Sequence, residues 1–258
     1  EKINKFKADV NVEDVTIVFT LRPLVKLLSS SYQQYLKYGL KLSYPEWLES
    51  IFETSGKAKF TPSFWKRNKH GNVVSRWAEV FGAENVSLIA VDESDPTFLY
   101  NSFSDLARVP NGIIREPLHQ EMNRSLTFNE SSLLLEINRT YPKDLDWDSY
   151  EIFIRKGNVK ALTGSATYES SDEKILTPDW AIAKAAELNA NSVAQIKSLG
   201  IKIVGDIDRS DFSRIPTGTN SPVSTISIAT AARAIIGVNM DSIKRMHGRA
   251  ITKEFFHR

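Results

Sequence analysis

The residues best suited to chemistry in this sequence are Arg22 and Ser30, which stand near the start of a predicted helix. Arg22 directly follows an apolar, β-branched run at 15–21, and Pro23 opens the helix. A helix N-terminus offers unpaired N–H groups and a partial positive charge, and an arginine adds paired donors that match phosphate oxygens. Ser30, two turns into the helix, adds a hydroxyl. This spacing predicts a phosphate-binding corner between strand and helix; the alternative is an arginine in a surface ion pair.

The elements that must position this corner alternate between strands and helices. Runs at 14–21 and 86–91 predict buried parallel strands, and 201–206 predicts a terminal or edge strand. Ser43 and Glu46 form a capping-box pair, and Gly39 and Gly82 end helices. Residues 57–72 and 208–224 are predicted loops. Apolar residues at three- and four-residue steps predict helices at 24–38, 42–52, 73–81, 97–106, 131–139, 178–199 and 225–236.

Composition excludes several classes of protein. The chain has 258 residues, of which 41% are hydrophobic and 25% charged, which is typical of a soluble protein with room for one large domain. It has no run of about 18 apolar residues, so we expect no membrane span. The absence of cysteine excludes disulfides and thiolate chemistry and favours a cytoplasmic setting. A net charge of +2 is too small to indicate nucleic-acid binding.

Three further kinds of site are excluded by spacing. The histidines at positions 70, 119, 247 and 257 lack the short separations of a metal site, so we expect no bound metal. The sequence has no Gly-x-Ser-x-Gly elbow for a serine hydrolase. It also has no Gly-x-x-x-x-Gly-Lys-Ser/Thr loop for a nucleotide kinase.

The order of the motifs resembles the sulfotransferases that use phosphoadenosine phosphosulfate (PAPS). The run ending in Arg22, followed by Ser30, is similar to the strand-Arg-(seven residues)-Ser motif with which that family binds the 3′-phosphate of PAPS. Residues 76–82 resemble the Trp-helix-Gly-strand unit that comes next; an ordinary helix-to-strand connection is the alternative. Residues 123–126, with the helix after them, and residues 203–207 resemble marks of the bacterial sulfotransferase-like proteins.

The resemblance implies an α/β fold of the P-loop type, with three layers, a parallel sheet and a helix-rich C-terminal half. It implies one sulfotransferase-like domain over 1–258, with a strand-helix nucleotide-binding part at 1–110 and a helical and loop part at 111–258. In that family Arg22 and Ser30 would hold the 3′-phosphate of PAPS, or of its desulfo product 3′-phosphoadenosine 5′-phosphate (PAP).

A second segment, made of Arg155, Lys156 and Gly157, is similar to the Arg-Lys-Gly loop that closes over the same phosphate in cytosolic sulfotransferases. Physically this suits an anion, because a cation followed by glycine lets backbone approach the anion closely. Residues 158–160 do not continue the family's Gly-Asp-Trp pattern. We therefore expect either a loop that closes on the phosphate or an ordinary exposed turn.

The family's 5′-phosphosulfate loop has no counterpart in this sequence. That Gly- and Thr-rich turn with a catalytic lysine would lie upstream of Glu1, so we expect a fold truncated at its N-terminus and, in this form, no catalysis. Residues 216–221 have a superficial likeness to it but lack the lysine, and we interpret them as a loop. Resemblance to glycan sulfotransferases makes Glu1 a candidate general base, and His119 is a second candidate. An exposed terminal glutamate and a solvated loop histidine are the alternatives.

The leading hypothesis from the sequence is transfer of sulfate from PAPS to a hydroxyl of a saccharide or glycolipid. The expected partners are the nucleotide co-substrate and a hydroxyl-bearing acceptor such as a glycan, with no nucleic acid and no membrane span. Enzymatic activity depends on the upstream phosphosulfate loop. The rival hypothesis is a non-catalytic relative that keeps the fold as a binding or assembly module of a larger protein. The acceptor and the oligomeric state are left open.

Overall fold

The computed structural model of the chain describes residues 2–11, 15–53, 58–110, 112–114, 124–164, 173–209, 212 and 215–246. These residues confirm a mixed α/β structure with a small parallel sheet and a helix-rich half. The chain divides into two compact units, each built from three separated stretches. The first contains Glu1–Leu28, Ser50–Leu118 and Pro178–Ile215, and the second contains Ser29–Glu49, His119–Thr177 and Pro216–Arg258. The expected single domain with a division near residue 110 stays a prediction.

The sheet belongs to the first unit. In the described residues its parallel strands are β1 (Ile17–Leu21), β2 (Val86–Ala90) and β3 (Lys202–Val204). β2 lies in the middle, and along the β1–β2 pair Ile17 is opposite Val86 and Leu21 is opposite Ala90. All five residues of β2 are buried, as expected for a central parallel strand. β1 is only half-buried, where a buried strand was expected, because among the described residues it pairs on one side only.

The predicted helices are present, with shifted ends. The last one begins at Ile228 instead of residue 225 and continues to Met246. The Ser43 amide donates to Glu46 Oε2 at 2.6 Å, which confirms the predicted capping box. The helices in chain order are α1 (Lys2–Asp9), α2 (Leu24–Leu36), α3 (Tyr44–Phe52), α4 (Ser63–Asn68), α5 (His70–Phe81), α6 (Phe98–Leu106), α7 (Phe128–Thr140), α8 (Trp147–Tyr150), a π-helix (Glu151–Val159), α9 (Lys160–Thr163), α10 (Asp179–Ser198) and α11 (Ile228–Met246).

The core of the first unit forms where α5 and α10 pack on the sheet. Val74 of α5, Leu88 of β2 and Ile196 of α10 belong to one buried apolar cluster. Burying a side chain of this size stabilises the fold by about 1.5–3 kcal/mol. Gly82, at φ 89°, ends α5, and its amide donates to the Ala78 carbonyl at 2.9 Å. A short 3₁₀ turn, Ala83–Asn85, leads into β2, so this packing and turn fix where the strand begins.

Residues 57–72, predicted to be a loop, contain α4 and the start of α5 in their described part. The prediction was wrong because two of the three aromatic residues there are core residues. Phe64 and Trp65 are buried, and Trp65 Nε1 donates to the Ile51 carbonyl at 2.8 Å. Tertiary packing of this kind stabilises a helix that its polar sequence would not form alone. The lysines that flank the aromatic residues in the sequence are exposed: Lys59, Lys66 and Lys69.

In the second unit the π-helix packs on α11 at a pair of glycines. A Cβ atom on Gly157 would lie 3.0 Å from Val238 Cα, and one on Gly237 would lie 2.5 Å from the Gly157 carbonyl oxygen. Only glycine permits this approach of the two backbones. Helices of the π type are rare and short in proteins, so nine residues in this form depend on close tertiary packing.

Candidate anion-binding site

Arg22 lies at the carboxyl edge of the parallel sheet, immediately after β1 and two residues before the start of α2. The Val91 amide donates to the Leu21 carbonyl at 3.0 Å, so the β1–β2 pairing continues up to this edge. The Arg22 side chain is 56% exposed. Ligands of open parallel sheets bind outside the carboxyl ends of the strands. The corner predicted from the sequence therefore has the backbone position that an anion site needs.

Two cations at this corner share one carboxylate. Arg22 Nε lies 3.4 Å from Glu93 Oε1, and Lys26 Nζ lies 2.7 Å from Glu93 Oε2. Glu93 follows β2 and is itself 39% exposed. The surface ion pair that was the alternative reading of Arg22 is thus present. Arg22 and Lys26 nevertheless form a cation pair suited to an oxyanion, with the Glu93 carboxylate in that position here.

The N-terminus of α2 is less open than the sequence suggested. Pro23 has no N–H, and the Leu24 amide donates to Asn189 Oδ1 of α10 at 3.1 Å. The Lys26 amide donates to the Pro23 carbonyl at 3.0 Å. The expectation of unpaired donors was therefore wrong for these two amides, because Asn189 reaches the helix end from far along the sequence. An anion at this corner would depend on the Arg22 and Lys26 side chains more than on backbone.

A second charged cluster lies on the same edge, where β2 and β3 end. Asp92 accepts hydrogen bonds from the Ser94 amide at 2.8 Å and the Ser94 hydroxyl at 2.6 Å, and it forms an ion pair with Arg209. The hydrogen bonds from Ser94, together with Arg209, lower the pKa of Asp92 to about 2. Asp92 is therefore ionised at neutral pH, and this edge of the sheet carries charges of both signs.

Ser30, the second predicted phosphate ligand, is an exposed residue of α2 and belongs to the second unit, whereas Arg22 belongs to the first. It follows Lys26 by four residues, and positions four apart share a face of a helix. The helical position predicted for Ser30 is confirmed. Its role in binding phosphate stays a prediction.

Arg155, Lys156 and Gly157 lie in the π-helix of the second unit. The Arg155 guanidinium lies 4.1 Å from the Tyr38 ring centre and 3.5 Å from the Glu151 carboxylate. Lys156 Nζ lies 3.0 Å from Glu151, and this hydrogen bond lowers the pKa of Glu151. Both expected conformations, a closing loop and an exposed turn, were therefore wrong. Packing at Gly157 and stacking on Tyr38 hold the segment as a helix, and its role toward phosphate stays a prediction.

The two candidate general bases, Glu1 and His119, lie outside the described residues. Within the ranges that the structure describes, no group of three or more His, Asp or Glu side chains could hold a metal ion. Among the helices of those same ranges, none has the length and apolar character that crossing a membrane requires.

Sequence reasoning missed three residues of this corner: Lys26, Glu93 and Asn189. Two of them left a usable signal. Glu93 stands just after the second predicted strand, and neighbouring parallel strands bring their carboxyl ends to one edge. Lys26 follows Arg22 by four residues within the same strand-to-helix connection. Asn189 gave no signal, because the register of α10 against α2 is set by tertiary packing.

No family model, no curated protein and no solved structure matches this chain. The geometry of the corner at Arg22 and Lys26 and the resemblance of its sequence motifs are therefore what support an anion-binding site.

Proposed function

We propose that this chain is a sulfotransferase-like domain of the P-loop type that binds PAP or PAPS at the corner formed by Arg22 and Lys26. One observation carries the proposal: two cations at the carboxyl edge of a parallel sheet hold a single carboxylate at 3.4 and 2.7 Å. A phosphate group offers the same oxygen geometry with more negative charge. The step from Arg22 to Ser30, which resembles the family's 3′-phosphate motif, supports the nucleotide as the ligand.

In the proposed complex the 3′-phosphate replaces Glu93 between the two cations. Arg22 donates a pair of N–H groups that match two phosphate oxygens, and Lys26 adds a compact point charge. Both Arg22 and Glu93 are exposed, and ion pairs between exposed groups contribute at most about 1 kcal/mol. The displaced carboxylate returns to water, so the exchange costs little.

The proposed activity is transfer of a sulfuryl group to a hydroxyl of a saccharide or glycolipid. The acceptor oxygen attacks the sulfur, the bond from sulfur to the bridging oxygen of the 5′-phosphate breaks, and PAP leaves. A general base takes the acceptor proton, and Glu1 and His119 are the candidates. A cation is also needed to stabilise the charge that develops on the bridging oxygen.

A non-catalytic binding module is the second candidate, and a specific observation favours it. The donors of the corner already have partners within the protein, since Glu93 pairs with both cations and Asn189 accepts from the Leu24 amide. In this reading the Glu93 carboxylate is a permanent part of the corner, which stabilises the strand-to-helix connection and binds no nucleotide.

A thermal-shift measurement with PAP tests the proposal. At a hundredfold excess over its Kd, PAP should raise the melting temperature by roughly 5–10 °C. Arg22→Ala should abolish this shift. Lys184→Ala is the control, because it removes another exposed cation of the first unit outside this corner and should leave the shift unchanged.

Each outcome separates the candidates. A shift that survives Arg22→Ala removes the corner from the site, and no shift with the unmodified chain contradicts nucleotide binding. Transfer is expected only from a protein that also carries the upstream phosphosulfate loop; if such a protein binds PAP but transfers no labelled sulfate from PAPS to a saccharide, the domain is a nucleotide-binding module. Transfer that is lost with Arg22→Ala would establish the sulfotransferase.

A further inference from the structure

An open cavity of about 650 Å³ lies in the first unit, and we call it the basic groove. Amide and hydroxyl side chains form part of its lining, from Asn72, Ser75 and Gln195. Among the residues that the structure describes, no acidic side chain lines the groove. Its lining includes four cations: Lys59, Lys66, Lys69 and Arg76.

The groove has a firm base. Trp65 is 6% exposed and anchored through its hydrogen bond to the Ile51 carbonyl, and Lys69 Nζ lies 5.8 Å from its ring centre. Gln195 of α10 lies directly over α5, since a Cβ atom on Gly71 would come within 2.3 Å of its Oε1 atom. Lys66 of α4 and Arg76 of α5 therefore project from packed helices, and Lys69 lies at the junction between these two helices.

The charges of the basic groove differ from those of other cations in the first unit. Arg22 and Lys26 pair with Glu93, Lys197 pairs with Asp208, and Arg209 pairs with Asp92. In contrast, among the described residues no carboxylate forms an ion pair with any of the four groove cations. Like charges around one cavity repel each other and raise the local concentration of an anionic ligand. The groove is therefore complementary to a polyanion.

The remaining lining favours a saccharide over a nucleic acid as that polyanion. Single-stranded nucleic acids are bound by stacking of bases on open aromatic faces. The aromatic lining residue is Trp65, and only 6% of it is exposed. Amide and hydroxyl groups such as those of Asn72 and Gln195 instead suit hydrogen bonds with sugar hydroxyls.

We infer that the basic groove binds an acidic saccharide chain that carries sulfate or carboxylate groups. The proposal does not rest on nucleotide binding by Arg22, because the groove has its own cations and its own hydrogen-bonding groups. If PAP did not bind at Arg22, the proposal for the groove would be unaffected. If no acidic saccharide bound in the groove, the proposal for PAP would be unaffected.

Binding of the full chain to fluorescent heparin and to oligogalacturonate, measured over a range of NaCl concentrations, tests this inference. Neutral dextran and a single-stranded oligothymidine are the comparison probes. The variant Lys66→Glu/Lys69→Glu/Arg76→Glu should weaken binding of the acidic saccharides by roughly tenfold or more, since each reversed charge replaces an attraction to the polyanion with a repulsion. The log–log dependence on salt should also become shallower.

The matched control is Lys143→Glu/Lys160→Glu/Lys202→Glu, which makes the same change in net charge at exposed positions outside the groove. It should keep the affinity within about twofold, because these charges do not line the cavity. The milder triple change of Lys66, Lys69 and Arg76 to Gln serves if the Glu variant does not fold, and it should weaken binding in the same direction.

Three results would overturn the inference. Equal losses in the groove and control variants would mean non-specific attraction to net charge. Unchanged binding in the groove variant would place the saccharide elsewhere. Tighter binding of oligothymidine than of either acidic saccharide at the same salt concentration would assign the groove to nucleic acid.

Discussion

Glu93 and Glu130 are each held by two cations, yet they stand in opposite environments. Glu93 is 39% exposed and is shared by Arg22 and Lys26 at the edge of the sheet. Glu130, in the second unit, is fully buried. Arg124 meets both of its oxygens, at 2.7 and 2.6 Å, and Arg233 lies 3.8 Å away.

This difference in burial decides which of the two carboxylates can be replaced by another anion between its cations. Burying a charge is expensive unless it keeps its partners, so removing one partner of a buried pair costs about 3–5 kcal/mol. An exposed pair loses little when a partner leaves, because water replaces it. Glu93 can therefore yield its place to a phosphate, whereas Glu130 is a fixed part of the second unit.

Residues of one sequence motif, at 123–138, lie among the buried polar contacts of the second unit. Arg124 belongs to the segment 123–126 that resembles bacterial sulfotransferase-like proteins, and the helix after that segment ends near Asn138. Asn138 Nδ2 donates to the Leu36 carbonyl at 2.9 Å, and its Oδ1 accepts from the Tyr150 hydroxyl at 2.6 Å. These motif residues hold the second unit together through buried polar contacts. Arg124 and Asn138 therefore have a structural role, whereas Arg22 lies at the proposed binding corner.

The largest expected effect comes from Arg124→Ala. It would leave the buried Glu130 carboxylate, among the described residues, with the Thr127 amide at 2.9 Å and a single cation, Arg233, at 3.8 Å, and the free energy of unfolding should fall by about 3–5 kcal/mol. Urea unfolding followed by circular dichroism measures it. Arg22→Ala is the control and should change stability by less than about 1 kcal/mol. Similar losses in both variants would erase the distinction between the two carboxylates.

Gly237→Ala tests whether packing against α11 holds the segment around Arg155 as a helix. The new Cβ atom would lie 2.5 Å from both Ala161 Cβ and the Gly157 carbonyl oxygen, so α11 must shift away from the π-helix. Overpacking of this kind should lower the free energy of unfolding by about 1–3 kcal/mol. Lys156→Ala, at an exposed position of the same segment, should stay within about 0.5 kcal/mol. Unchanged stability of Gly237→Ala in urea unfolding would contradict the close helix contact.

Glu93→Gln sharpens the proposed exchange at the first unit. It removes the competing charge from Arg22 and Lys26 and keeps the size of the side chain, so PAP should bind roughly three- to tenfold more tightly. Isothermal titration calorimetry gives the affinity. Glu79→Gln is the matched control, because it removes the charge of another exposed glutamate in the first unit. Equal or weaker binding by Glu93→Gln would contradict the exchange of the Glu93 carboxylate for the phosphate between Arg22 and Lys26.

Much of the fold could be predicted because its signals are local. The strand at Val86, the capping box at Ser43 and the helix end at Gly82 each follow from a few neighbouring residues. Residues 57–72 were misread because polarity suggested a loop, while burial of Phe64 and Trp65 depends on contacts with distant segments. The π-helix at Arg155 was missed for the same reason, since its partner glycine, Gly237, is far along the chain.

The candidate site divides in the same way. The position of Arg22 after a strand and before a helix followed from sequence alone. Its actual partners did not, because Glu93 and Asn189 reach the corner through the pairing of β1 with β2 and the packing of α10. The basic groove likewise brings together Lys59, Arg76 and Gln195 from separate segments, so no single stretch of sequence predicts it.

The smallest expected effect concerns the titration of Asp92 beside Glu93. The pKa of Asp92 lies at about 2 against an ordinary 3.8, so its stabilising contribution is present above about pH 3.8 and is lost as the pH falls toward 2. Ser94→Ala removes the largest cause of this shift, the hydroxyl hydrogen bond, and should raise the pKa toward its ordinary value. Carboxyl ¹³C NMR titration measures it, and Thr97→Ala, which acts on Asp95 instead, should leave the Asp92 pKa where it is. If Ser94→Ala left the Asp92 pKa unchanged, then the Ser94 amide and Arg209 would hold this carboxylate ionised without the hydroxyl, and the hydroxyl would have no part in the charge balance of this edge.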